Sequence, residues 1–307
     1  MARIIKKENI KGWLKELKDS YKVVDIRDDI LPPKQYFFPP KEKILKYNKK
    51  KNKLSVPKKK ENSVLLFGLD LLDLEALTQL DEIMRKPKKD YYYWKKREDS
   101  VLVGISDESI EVTTGGDLVL MKVNPKEYEA LVFTEKGKKI LNSNFFKKRK
   151  SFDKRTYPLQ SNPLKDLLLN PELLKDAILW SKNHKIWKEL GRKCLGCGIC
   201  TYVCPLCYCF SMEDRVHLGK DQCSRCRMWD ACTLPRFAKV AGGHDFHPDI
   251  KSRYYNWYYH KFVRGYKEYG KSQCVACGRC FRYCPAGINI LEVLNEIVED
   301  YKKKSSK

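Results

Sequence analysis

The pattern C-x2-C-x2-C-x3-C-P occurs twice, as "CLGCGICTYVCP" from Cys194 and as "CVACGRCFRYCP" from Cys274, and nothing else in the 307 residues restricts the fold so strongly. Three thiols spaced two residues apart need a tight loop. The glycine after the second of them, Gly198 or Gly278, supplies the backbone freedom for that loop. The proline after the fourth cysteine starts a new chain direction. The two segments align position by position, so two copies of one local unit predict two copies of one site.

All 13 cysteines lie between Cys194 and Cys284, and the first 193 residues contain none. A secreted disulfide scaffold is short and follows a signal peptide, whereas "MARIIKKENIKGWLKEL" is charged and lacks an apolar run. No stretch reaches the roughly 18 apolar residues that a membrane span needs. The expectation is a reduced, cytoplasmic chain with no membrane segment, in which clustered thiols serve as metal ligands.

The spacing is the one by which bacterial ferredoxins hold 4Fe-4S clusters, the fourth cysteine of each run ligating the other cluster. That rule assigns Cys194, Cys197, Cys200 and Cys284 to cluster one, and Cys274, Cys277, Cys280 and Cys204 to cluster two. Structural zinc uses paired C-x2-C units, and triplets fit it poorly. Crossed ligation ties the motifs together and holds the clusters close enough to pass electrons. Five further cysteines, Cys207, Cys209, Cys223, Cys226 and Cys232, lie between the motifs. They have two open readings, a third iron-sulfur cluster or zinc ion, and spare reduced thiols packed as small hydrophobes. His244 and His247 in "VAGGHDFHP" read as part of a polar turn, and the aromatics of "YYNWYYHKF" as packing around a core or cluster.

The net charge of +23 raises a nucleic-acid reading, because Lys and Arg displace counterions from phosphates. Residues 41–60, "KEKILKYNKKKNKLSVPKKK", hold ten Lys against one Glu and so supply +9 of that total. A run of this kind reads as a solvated loop, and an iron-sulfur nucleic-acid-binding protein is the remote alternative. No G-x-G-x-x-G, Walker A or triad pattern marks a nucleotide or hydrolytic site.

The fold class expected is α+β, with an N-terminal mixed domain over 1–160 and a mainly helical, ferredoxin-like dicluster domain over 161–307. In the first, Ile10, Trp13, Leu14 and Leu17 share a helical face, and "YKVVDIR", "SVLLFGLD", "SVLVGIS" and "DLVLMKV" read as strands. "TTGGD" at 113–117 reads as a hairpin turn. In the second, "SNPLKDLLLNPELLKDAILWSKNHKIWKEL" reads as two helices broken at "NPE". Ile290, Val293, Leu294, Ile297 and Val298 form one apolar stripe near the C-terminus.

With "KCLGCGICTYVCPLCYC", "WDAC", "VAGGHDFHP", the second cysteine motif and "LPPKQYFFPPKEKILKY" in place, the chain resembles the iron-sulfur beta subunit of sulfhydrogenase-type, NAD(P)-linked nickel-iron hydrogenases. An iron-sulfur component of anaerobic sulfite reductase shares the architecture. The resemblance implies a subunit that is no catalyst itself and relays electrons, with a flavin/NAD(P)-binding subunit on one side and the small and large catalytic subunits of a hydrogenase on the other. A sulfite reductase or another low-potential oxidoreductase is the alternative partner. Family members carry cysteines near the segments that here read "LLFGLDLLDLEAL" and "LVGIS"; this chain has none there, so no N-terminal cluster is expected.

Overall fold

The computed structural model describes residues 2–57, 63–107, 115–149 and 162–305. The chain divides into two compact units, Met1–Phe37 with Lys59–Ser161, and Phe38–Lys58 with Asn162–Lys307. A single boundary near residue 160 therefore misses one exchange: a segment from the N-terminal third belongs to the second unit.

The first unit is built on a seven-stranded sheet. Its order is Lys22–Asp25, Val64–Leu69, Val101–Ser106, Leu118–Asn124, Glu127–Val132, Ala2–Lys6 and Lys147–Arg149. The first four strands run parallel and the later pairs antiparallel. Val64–Leu69 and Val101–Ser106 read as near-continuous apolar runs because both faces are covered. One face packs Leu65, Phe67, Val101 and Val103 against Trp13, whose indole N–H donates to the Ile140 carbonyl at 3.0 Å. Helix Ile10–Leu17 buries the four residues of its expected stripe. Helices Leu71–Ile83, Tyr91–Arg97 and Glu135–Leu141 start at Asp70, Asp90 and Thr134, each accepting from a first-turn N–H. The turn signal at 113–117 lies partly outside the described residues, and the strands on either side of it run parallel, so it closes no hairpin.

The second unit is not purely helical. It holds a four-stranded antiparallel sheet in the order Phe210–His217, Gln222–Trp229, Lys41–Asn48, Lys53–Ser55. The lysine-rich run is thus a hairpin where a loop was expected, at least over its described residues. Ile44 is its buried member, and Lys41, Lys43 and Lys46 stay exposed. Glu42 and Arg227 close a buried ion pair at 2.8 Å across the Lys41–Asn48 and Gln222–Trp229 strands.

Three helices, not two, precede the first cysteine motif: Pro163–Leu168, Pro171–Trp180 and Lys185–Lys193. Asn162 and Asn170 cap the first two, each with proline in the first turn. The extra break sits at Ser181–Asn183, where the Trp187 indole donates to the Ser181 carbonyl at 2.6 Å and so satisfies a helix-end acceptor. Helix Ile250–Tyr259 continues into a π-helical turn, His260–Arg264, and then Gly265–Tyr269. Helix Ile290–Ser305 buries all five residues of its predicted stripe. Trp187, Trp257, Tyr258, Phe262 and Leu294 are fully buried or nearly so in the core that these helices share.

A candidate iron-sulfur site

Both cysteine motifs follow one backbone course. The residue two after the first cysteine is left-handed, Gly196 at φ +62° and Ala276 at φ +59°. The residue four after it is left-handed too, Gly198 at φ +77° and Gly278 at φ +70°. Each of these last glycines opens a four-residue helix, Ile199–Tyr202 or Arg279–Arg282, and the two short helices lie against each other. That contact sets the helix that carries Cys200 beside the one that carries Cys280.

The loops also point backbone donors at sulfur. Gly196 N–H donates to Cys194 Sγ and Leu206 N–H to Cys204 Sγ, both at 3.4 Å. Ala276 N–H donates to Cys274 Sγ at 3.5 Å and Ile288 N–H to Cys284 Sγ at 3.4 Å. Such donors stabilise charge on sulfur and suit thiolate ligands. Cys194, Cys197 and Cys200 of the first motif and Cys280 and Cys284 of the second line one cavity, walled on its apolar side by Tyr254 and Trp257. Cys204 lies in the field of Cys274 and Cys280, on the side of the second motif. Cys197 is exposed and Cys204 buried. The aromatic run thus forms part of the core and of the cavity wall.

Burial pushes the Cys200 thiol up to about 12 and the Cys274 thiol up to about 11, and it raises Cys194 and Cys280 as well. Burial disfavours the free thiolate, and a bound metal centre would displace the thiol proton and hold the sulfur as thiolate. Donor chemistry, loop course and cavity all fit iron-sulfur ligation.

Two buried cations that the sequence pattern did not single out stand beside the sulfurs. The Lys261 ammonium, on the π-helical turn, donates to Cys204 Sγ at 3.2 Å and to the Gln273 carbonyl at 2.9 Å, 4.9 Å from the Trp257 ring centre. Burial works against its charge, and the Cys204, Cys207, Cys274 and Cys280 sulfurs work the other way and push its pKa above the ordinary lysine value. Arg253 lies near Cys194 and donates to the Thr233, His247 and Pro248 carbonyls.

Of the five other cysteines, Cys207, Cys209 and Cys232 lie within one another's fields. Cys207 is hydrogen-bonded with Cys204, and Cys232 with Cys209. Cys223 and Cys226 sit in mid-strand, three residues apart in a ladder whose pairing to Phe210–His217 is regular, so they face opposite sides of the sheet. Cys223 is also six residues, on the order of 20 Å, from the Trp229 end where Cys209 lies. Among the described residues, no three His, Cys, Asp or Glu side chains converge on a single ion. A cubane, by contrast, spreads its thiolates over its corners. His244 is exposed in the turn at 240–244, closed by Val240 N–H donating to the His244 carbonyl at 2.9 Å.

A 4Fe-4S dicluster domain matches residues 193–288, spanning both motifs and the strand pair between them. No solved structure matches the chain. Over 291 residues it is 31% identical to the sulfhydrogenase 2 subunit beta of Pyrococcus furiosus, an alignment that takes in 90% of this chain and 85% of the relative. With likeness along nearly its whole length and the dicluster domain where the cysteine repeat lies, the chain belongs to the sulfhydrogenase beta-subunit family.

Proposed function

We propose that this chain relays single electrons through two 4Fe-4S clusters, between a flavin subunit that handles NAD(P) and the small and large catalytic subunits of a hydrogenase complex. An iron-sulfur electron-transfer role rests on the dicluster domain and the family. Cys194, Cys197, Cys200 and Cys284 would hold one cluster, and Cys274, Cys277, Cys280 and Cys204 the other. The observation that supports this assignment is the cavity lined by the three leading cysteines of the first motif with Cys280 and Cys284 of the second, of which the crossed ferredoxin rule gives Cys284 to the first cluster. When bound, each cluster supplies a one-electron couple. The chain's own part is to hold thiolates at fixed points, to donate N–H groups to them, and to shut water out with Tyr254 and Trp257. The first unit has no cysteine to extend the relay. Among the described residues no helix is long and apolar enough to cross a membrane.

Two experiments test the reading. Serine at Cys204 should abolish the signal of the cluster built on the second motif, and serine at Cys284 that of the first; EPR spectra with both signals intact in either variant would refute the crossed assignment. Anaerobic co-purification from the native cell should recover a flavoprotein together with a nickel-iron protein. A sirohaem protein in their place would move the relay to sulfite reduction.

A further inference from the structure

Lys261 is a buried cation, 3% exposed, aimed at one ligand sulfur. Its backbone carbonyl accepts from Gln273 N–H at 2.9 Å while its ammonium donates to the Gln273 carbonyl, so it is fastened twice to the residue that precedes Cys274. The same ammonium reaches Cys204, at the end of the first motif. One side chain therefore spans both sequence sources of the second ligand set. The π-helical turn makes this possible, because its wider turn buries Lys261, Phe262 and Val263 in succession.

The two ligand sets are unequal in a way that bears on their potentials. Reduction adds one electron and no proton, and the added negative charge spreads onto the thiolate sulfurs. Burial opposes that added charge, and hydrogen bonds to sulfur favour it. Cys204 is the buried ligand, and it receives a charge-assisted donor as well as a backbone N–H. Arg253, the cation beside the first set, directs its described hydrogen bonds to three carbonyls.

We propose that Lys261, acting through Cys204, raises the midpoint potential of the cluster held by Cys204, Cys274, Cys277 and Cys280, offsetting its burial and keeping it reducible by its more exposed neighbour. This rests on the crossed ligand assignment above. Lys261 is a positioning residue in this scheme: it touches the ligand, and its charge meets the charge that reduction adds.

The test is an EPR-monitored redox titration of the full chain, with iron counted per chain, for wild type and for Lys261→Met, Lys261→Gln and Lys261→Arg. Lys261→Met should lower the potential of one cluster so that its reduced-to-oxidised ratio at fixed ambient potential falls at least tenfold, a shift of about 59 mV for one electron. The other cluster should titrate as in wild type, and Lys261→Arg should recover most of the shift. Wild-type potentials for both clusters in Lys261→Met would overturn the proposal. Should that variant lose iron, Lys261→Gln decides: an unchanged potential there overturns the proposal and a lowered one carries it. A Cys204→Ser variant that keeps both wild-type couples would instead overturn the ligand assignment, and the proposal with it.

Discussion

At the scale of single residues, Gly198 and Gly278 hold equivalent places under unequal constraint. Both are left-handed, but a Cβ on Gly198 would lie 3.0 Å from Ala231 Cβ and 3.2 Å from Tyr202, whereas one on Gly278 would meet nothing within 4 Å. Gly278→Ala should therefore lose only about 1–2 kcal/mol, the left-handed penalty. Gly198→Ala should lose more and should also lower iron content, compared by denaturant midpoints and iron per chain. The left-handed turn at both glycines could be read from spacing, because thiols two residues apart leave the chain few alternatives. Lys261 could not. A lysine within an aromatic run ordinarily keeps its ammonium in water, and only the π-helical turn and the approach of Gln273 turn it inward.

At the scale of elements, the residues easiest to misread were those between and before the motifs. The lysine run alternates around Ile44 as a half-exposed strand does, yet its charge density masks the pattern. Its acidic member is an anchor: Glu42 pairs with Arg227, whose guanidinium lies 4.7 Å from the Phe38 ring centre. Glu42→Ala leaves a buried cation without its carboxylate and should cost about 3–5 kcal/mol in urea unfolding, whereas a Glu42→Leu, Arg227→Met pair should lose far less. The same strand pair sets the C-x2-C at Cys223 and Cys226 apart from the two motif loops. Spacing alone does not distinguish a loop, which brings two sulfurs together, from a strand, which sends them to opposite faces.

At the scale of the whole molecule, composition set cysteine-free and cysteine-rich regions apart, and the helical stripes at 10–17 and 290–298 emerged with their buried residues as expected. The return of residues 38–58 to the second unit was not legible, since strand partners far apart in sequence leave no local signal. A fragment spanning 162–307 should accordingly show weak near-UV circular dichroism and poor iron incorporation, and a synthetic 38–58 peptide added in trans should improve both; equal behaviour with and without the peptide would make that strand dispensable.

The donated strand has a further consequence during synthesis. Lys41–Asn48 is made well before Gln222–Trp229, its hydrogen-bonding partner. At about 5–20 residues per second, that early strand waits on the order of ten to thirty seconds on the ribosome before its neighbour exists. Its lysines, which keep an unpaired edge from joining other chains, thus protect the nascent polypeptide during that interval.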